Sequence, residues 1–153
     1  MCTVTLFTPK HAYTLTNVTA SRTFTRSSLW RRYTRREREY ILTTSRIRIR
    51  PTQSVDVLIA ARRATLNADH RIYMHSAEGA SRSYAFRDLL FDGLRRVARG
   101  AEIPPIDESE SRGASLSVRL PTRHLACVTD IAADAQTSTN TMLARLVTLG
   151  GQS

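Results

Sequence analysis

The run Ser115-Leu116-Ser117-Val118-Arg119-Leu120-Pro121 constrains the fold more than any other segment. Leu116, Val118 and Leu120 alternate with Ser115, Ser117 and Arg119, the period of a strand with one apolar and one polar face. Pro121 has no N–H to continue a ladder and stops the strand. Thr122 offers a helix cap, and Leu125, Val128, Ile131, Ala132 and Ala135 follow at three-to-four spacing. Thr137-Ser138-Thr139-Asn140 breaks the pattern and supplies a second N-cap. Met142, Leu143, Leu146 and Val147 stripe a second helix, closed by Gly150-Gly151. The order over residues 115–150 is strand, helix, helix.

The same order appears upstream. Ser81-Arg82-Ser83 caps a helix whose stripe is Phe86, Leu89, Leu90, Gly93, Leu94 and Val97, ended by Gly100. Leu66, Ile72, Tyr73 and Ala77 line a preceding helix that Gly79 ends. Two segments compete for the strand. Val55, Val57 and Ile59 alternate in SVDVLIA, and Ile47 and Ile49 alternate in RIRIR. Loop length favours residues 55–60: Ile59 to Ser81 is 22 residues and Arg50 to Ser81 is 31, against 18 from Leu120 to Ser138. Between the units lies GAEIPPIDESESRGA, residues 100–114, with Pro104, Pro105 and four acids, a linker composition.

Charge is unevenly spread. The chain of 153 residues carries a formal net charge of +10, which suits a polyanionic partner, nucleic acid first. Residues 1–46 hold nine Lys/Arg against Glu37 and Glu39, whereas residues 47–153 hold 14 against 11. Residues 1–45 read as a flexible basic arm, with a short strand over residues 3–8 and a basic helix over residues 29–41 bearing Arg31, Arg32, Arg35, Arg36 and Arg38. A DNA-binding arm is favoured over an organellar transit peptide, which would share this composition. Cys2 and Cys127 have no metal-ligand spacing and read as free thiols in a reducing cytoplasm. His11, His70, His75 and His124 are too scattered for a metal site. No P-loop, GxGxxG or G-x-S-x-G is present, so the expectation is a binding protein, not an enzyme, with no cofactor.

Strand–helix–helix with a Ser-capped second helix resembles the ribbon-helix-helix DNA-binding superfamily. GASRSYAFRDLL (residues 79–90) resembles that family's helix entry, STNTML (residues 138–143) a second version of it, and SLSVRLP its strand followed by proline. Family members usually pair one strand from each of two chains; here both copies lie in one chain. SVDVLIAAR, SRSYAFRDLL, a Pro-containing linker and SLSVRLP are similar in order and spacing to the overdrive-binding accessory proteins of T-DNA transfer. The resemblance covers about residues 54–150.

It implies an α+β fold, a tandem ribbon-helix-helix in residues 46–153 with half one at 54–100, a linker at 101–114 and half two at 115–150. This would be a monomer with an internal pseudo-dimer and a two-stranded antiparallel ribbon. Its core would be Leu89, Leu90, Leu94, Val97, Leu125, Val128, Ile131, Leu143, Leu146 and Val147. It further implies a bacterial cytoplasmic protein that binds double-stranded DNA and helps a relaxase complex assemble at a transfer origin or border, with the relaxase and a ParA-like ATPase as partners. A plasmid or phage repressor of the same fold, or an antitoxin-like interaction module, are the alternatives.

A two-stranded ribbon fits the major groove and meets base edges with its outward side chains. Those are Ser115, Ser117 and Arg119 in the second unit. In the first they would be Asp56, Leu58 and Ala60, which are poor base readers, or Arg46, Arg48 and Arg50 if RIRIR were the strand. The helix starts at Ser81, Arg82 and Ser83 and at Ser138, Thr139 and Asn140 offer backbone N–H groups to phosphate. Arg62, Arg63, Arg82 and Arg123 could clamp the DNA backbone.

Overall fold

The computed structural model describes residues 3–7, 12–16, 44–68 and 81–152. The basic helix expected at 29–41, Cys2, and the 72–79 end of the helix expected before Gly79 lie outside them. The elements are β1 (Thr3–Phe7), β2 (Ala12–Thr16), β3 (Thr44–Ile49), α1 (Gln53–Ala68), α2 (Arg82–Ala98), β4 (Leu116–Pro121), α3 (Thr122–Asp134) and α4 (Thr139–Gly150). From β3 onward the chain is strand, helix, helix, linker, strand, helix, helix. β3 and β4 form one two-stranded antiparallel sheet. β1 and β2 form a second, laid against α2 and α3, so the strand expected at residues 3–8 is present.

The first ribbon strand is therefore Thr44–Ile49, not residues 55–60, and the first half begins ten residues earlier than the spacing suggested. Residues 55–60 lie inside α1. Positions 55 and 59 fit both periods, since two strand alternations span one helical turn. Val57 separates them: a strand would bury it with Val55 and Ile59, but it is 63% exposed while those two are buried. The helix starts where Pro51 ends the extended chain and buried Thr52 caps it, the Val55 N–H donating to the Thr52 hydroxyl at 3.4 Å. The 31-residue separation that counted against RIRIR holds a 16-residue helix.

α2 and α4 follow the sequence expectation closely. Ser81 accepts from the Tyr84 N–H at 3.0 Å and Ser138 from the Thr141 N–H at 3.1 Å, so both serines are N-caps. Gly100, at φ 93°, lies just beyond the end of α2 in the left-handed region that a glycine adopts without strain. α3 differs: Pro121 occupies the cap position with no side-chain cap bond, and the Thr122 hydroxyl instead meets the Ser45 hydroxyl at 3.2 Å. That bond ties the start of α3 across the ribbon to β3.

The inner face of the ribbon closes one side of the core. Ile49, Leu116, Val118 and Leu120 are buried there against Phe86, Leu89, Leu90, Leu94, Val128, Met142, Leu143, Leu146 and Val147. Val97, Leu125 and Ile131 are half-buried against this cluster. α2 and α4 cross at backbone contact. A β-carbon on Gly93 would fall on the Leu146 carbonyl oxygen, and one on Gly150 on the Leu89 carbonyl oxygen. The crossing is reciprocal, Leu89 and Gly93 of one helix meeting Leu146 and Gly150 of the other.

One ion cluster fastens α1 to this crossing. The Arg62 guanidinium donates to Asp88 at 2.6 Å, to Asp92 at 2.7 Å and to the Gly150 carbonyl at 3.2 Å. Burial, with Asp92's charge in addition, holds the Asp88 carboxyl above its ordinary range, while the Arg62 hydrogen bond and charge oppose the rise. Burial also pushes the Cys127 thiol up to about 12, with Asp130 adding to the shift, so it stays a neutral core group.

Two outcomes are expected. Gly93→Ala or Gly150→Ala forces the helices apart and lowers stability by about 1–3 kcal/mol, read by urea denaturation. Arg62→Ala leaves Asp88 and Asp92 facing each other with only the longer Arg95–Asp92 pair, at 3.4 Å, among the described residues to offset them, and costs about 1–3 kcal/mol at neutral pH. Because Asp88 is raised, the native state holds its proton more tightly than the unfolded chain, so stability falls as pH rises through its titration. Without Arg62 the rise is larger. The variant's deficit is therefore greatest at neutral pH and shrinks as pH falls through the carboxylate range, measurable as the melting-temperature difference against pH.

Candidate nucleic-acid interface

The β3–β4 register decides which side chains leave the core. Thr44 faces Pro121, Ser45 Leu120, Arg46 Arg119, Ile47 Val118, Arg48 Ser117, and Ile49 Leu116. Successive side chains alternate, so Thr44, Arg46 and Arg48 of β3 share the outer face with Ser117 and Arg119 of β4, and all are exposed. Ser115 and Arg50, also exposed, flank the two strands. The outer face carries three arginines and no carboxylate. Among the described residues, the Arg46, Arg48 and Arg119 side chains have neither a hydrogen bond nor an ion pair.

Two bonds from α2 hold the free edge of β4. The Ser83 hydroxyl donates to the Ser117 carbonyl at 2.7 Å, and the Arg87 guanidinium to the Arg119 carbonyl at 3.3 Å. These carbonyls face α2 and thus point away from β3. Arg48–Ser117 and Arg46–Arg119 are then the non-hydrogen-bonded pairs of the ladder, whose Cα atoms approach to about 4.5 Å. Arg46 and Arg119, two like charges, stand directly opposite each other in the closer of the two pairings. Such a pair is unfavourable in the free protein. A row of phosphates or the acceptor edges of guanines would relieve it.

The remaining expected site residues fall into three groups. Asp56, Leu58 and Ala60 are helical and do not belong to the ribbon; Asp56 instead pairs with Arg82 at 2.7 Å. Arg62 is held by Asp88, Asp92 and Gly150, and Arg63 lies beside it on α1, half-buried. Arg123 lies half-buried in the first turn of α3. Ser81 and Ser138 are caps at exposed helix starts, Thr139 is half-buried, Asn140 is exposed and Ser83 is committed to β4.

Sequence reading missed Arg87, which bonds the ribbon and lies over the Tyr84 ring at 5.6 Å. The signal was its place four residues after Ser83, one helical turn along the same face. It also missed that the linker is fastened to the fold. Arg145 donates to the Pro104 and Ile103 carbonyls at 2.9 and 3.1 Å. Glu110 accepts from the Ser54 N–H and hydroxyl at 2.8 and 2.6 Å, and Glu108 from the Thr141 hydroxyl at 3.0 Å.

Comparisons with protein-family models, with curated proteins and with solved structures each gave no match. Among the described residues no group of His, Cys, Asp and Glu could hold a metal ion, and no helix is long and apolar enough to cross a membrane.

The facing arginines carry a stability consequence. Arg46→Thr removes the like-charge pair and places a β-branched residue in a strand, so the free protein gains about 0.2–1 kcal/mol. The gain shrinks with added salt, as screening weakens the repulsion that the substitution removes. Thermal denaturation of both proteins across a sodium chloride series checks it.

Proposed function

We propose that the chain is a tandem ribbon-helix-helix protein that binds double-stranded DNA without chemistry, laying the β3–β4 ribbon in the major groove. The observation that carries this reading is the outer ribbon face, where Arg46, Arg48 and Arg119 project from a strand pair backed by the core. A major groove admits a two-stranded ribbon, and arginine is the side chain that most often reads a base there, bidentate to guanine O6 and N7. The backing matters: inner residues Ile49, Leu116, Val118 and Leu120 are buried, so the arginine stems start from a fixed platform. Phosphate neutralisation by the basic chain supplies much of the affinity and makes it salt-dependent.

The wider role follows from the family resemblance. It is an accessory role in conjugative or T-DNA transfer, in which the bound protein helps a relaxase complex assemble at a transfer origin or border. The relaxase and a ParA-like ATPase are the proposed protein partners. An increase in relaxase nicking on supercoiled origin DNA when this protein is added tests that part.

DNA binding is tested by fluorescence anisotropy of a random-sequence duplex of about 25 base pairs with the full chain. Affinity should fall steeply and linearly in log[salt]. Arg119→Ala should reduce discrimination between duplexes by about 1–3 kcal/mol per contacted base while lowering affinity for random DNA much less. Equal binding of every duplex by both proteins would show that the ribbon reads no bases.

A further inference from the structure

We infer that the DNA element of this chain is a single asymmetric site, bound in one orientation, and not an inverted repeat. The inference rests on the DNA-binding reading above and specifies the class of site that the ribbon takes.

Two identical strands related by a dyad would present the same outward residues to both halves of a site. This ribbon cannot. If the dyad passes through the Ile47–Val118 pair, Arg48 maps onto Arg119, but Arg46 maps onto Ser117. If it passes through Arg46–Arg119, those two match, but Arg48 maps onto Pro121. Under either choice β3 has an arginine with no counterpart on β4. Arginine also dominates the whole chain, Lys10 being its single lysine among 23 basic residues. The planar, rigid guanidinium fork matches the paired acceptors of guanine better than a flexible ammonium does, so the extra arginine offers a base contact as well as charge.

The two flanks differ independently of the ribbon. The start of α2 is fixed beside β4 by the Ser83 and Arg87 bonds to the Ser117 and Arg119 carbonyls. The nearby carboxylate, Asp56, is neutralised there by Arg82. Among the described residues no bond of this kind joins α4 to β3. At the start of α4 the Thr141 hydroxyl is bonded to Glu108, and no cation pairs with Glu108 among the described residues. The α4 entrance therefore carries the Glu108 carboxylate together with Arg50 and Arg112, which line the recess beside Asn140, whereas the carboxylate near the α2 entrance, Asp56, is already neutralised by Arg82. The two ends of the ribbon therefore present different charged groups to the DNA backbone.

The test is selection from a random duplex pool with the full chain, followed by sequencing and by phosphate ethylation interference on the enriched duplex. The expected result has guanines concentrated in one half of the enriched sequence, each worth about tenfold in affinity, with no inverted repeat. Ethylation should interfere unequally on the two flanks. Glu108→Gln should strengthen interference on the second flank and steepen the slope of log K against log[salt] by about 0.9, one further phosphate contact. An enriched inverted repeat, or equal wild-type interference on both flanks, overturns the inference and leaves DNA binding standing. Salt-dependent binding with no enrichment also overturns it, since the ribbon then reads no bases. Absence of binding at low salt overturns the DNA-binding reading itself. Because Glu108 is exposed and makes one side-chain bond to a hydroxyl, its replacement by glutamine tests the flank without disturbing the core.

Discussion

The backbone crossing of α2 and α4 is the contact on which the rest of the structure depends. With glycine at positions 93 and 150 the helices approach until each carbonyl ridge fills the gap left by the other's missing side chain. That approach brings Leu89, Leu90, Leu146 and Val147 into one cluster, and the cluster is the floor on which the ribbon rests. Arg62 then spans the same junction, reaching Asp88 and Asp92 on α2 and the Gly150 carbonyl at the end of α4. Neither strand could bury its apolar face without this floor, since a lone two-stranded ribbon is marginal in water.

The ribbon combines a stable backing with an unfavourable front. Inward side chains of the ribbon are apolar and buried, while the outward set includes two arginines in the closest cross-strand pairing. Local rules of sheet stability would replace one of them. Natural sequences depart from local rules where function requires it, and the departure here is confined to the face turned away from the core. The α2 side chains that bond β4 also cover a free strand edge, which limits edge-to-edge association.

Much of the second half was legible in the sequence because its signals agree. The alternation of residues 115–121, the proline stop, the Ser138 cap and the Met142–Val147 stripe all point the same way, and all are found. The first half was harder because its signals conflict. Val55, Val57 and Ile59 satisfy a strand period and, omitting Val57, a helical one; only tertiary burial distinguishes them. RIRIR has three arginines to two isoleucines, so the isoleucines carry a weak pattern until a partner strand gives them a face. Of the candidate site, Ser115, Ser117 and Arg119 could be placed from alternation alone. Arg87 and Glu108 could not, because their roles come from contacts between segments more than 30 residues apart.

The linker has a consequence of its own. It runs from α2 to β4 tethered to Arg145, Ser54 and Thr141, so the two strand–helix–helix units meet as parts of one molecule. Paired units on separate chains come apart on dilution, and their stability is inseparable from protomer concentration. Here the pairing is unimolecular and survives at a few copies per cell. A substitution in one unit also changes one face of the molecule only, so each half can be altered while the other keeps its sequence.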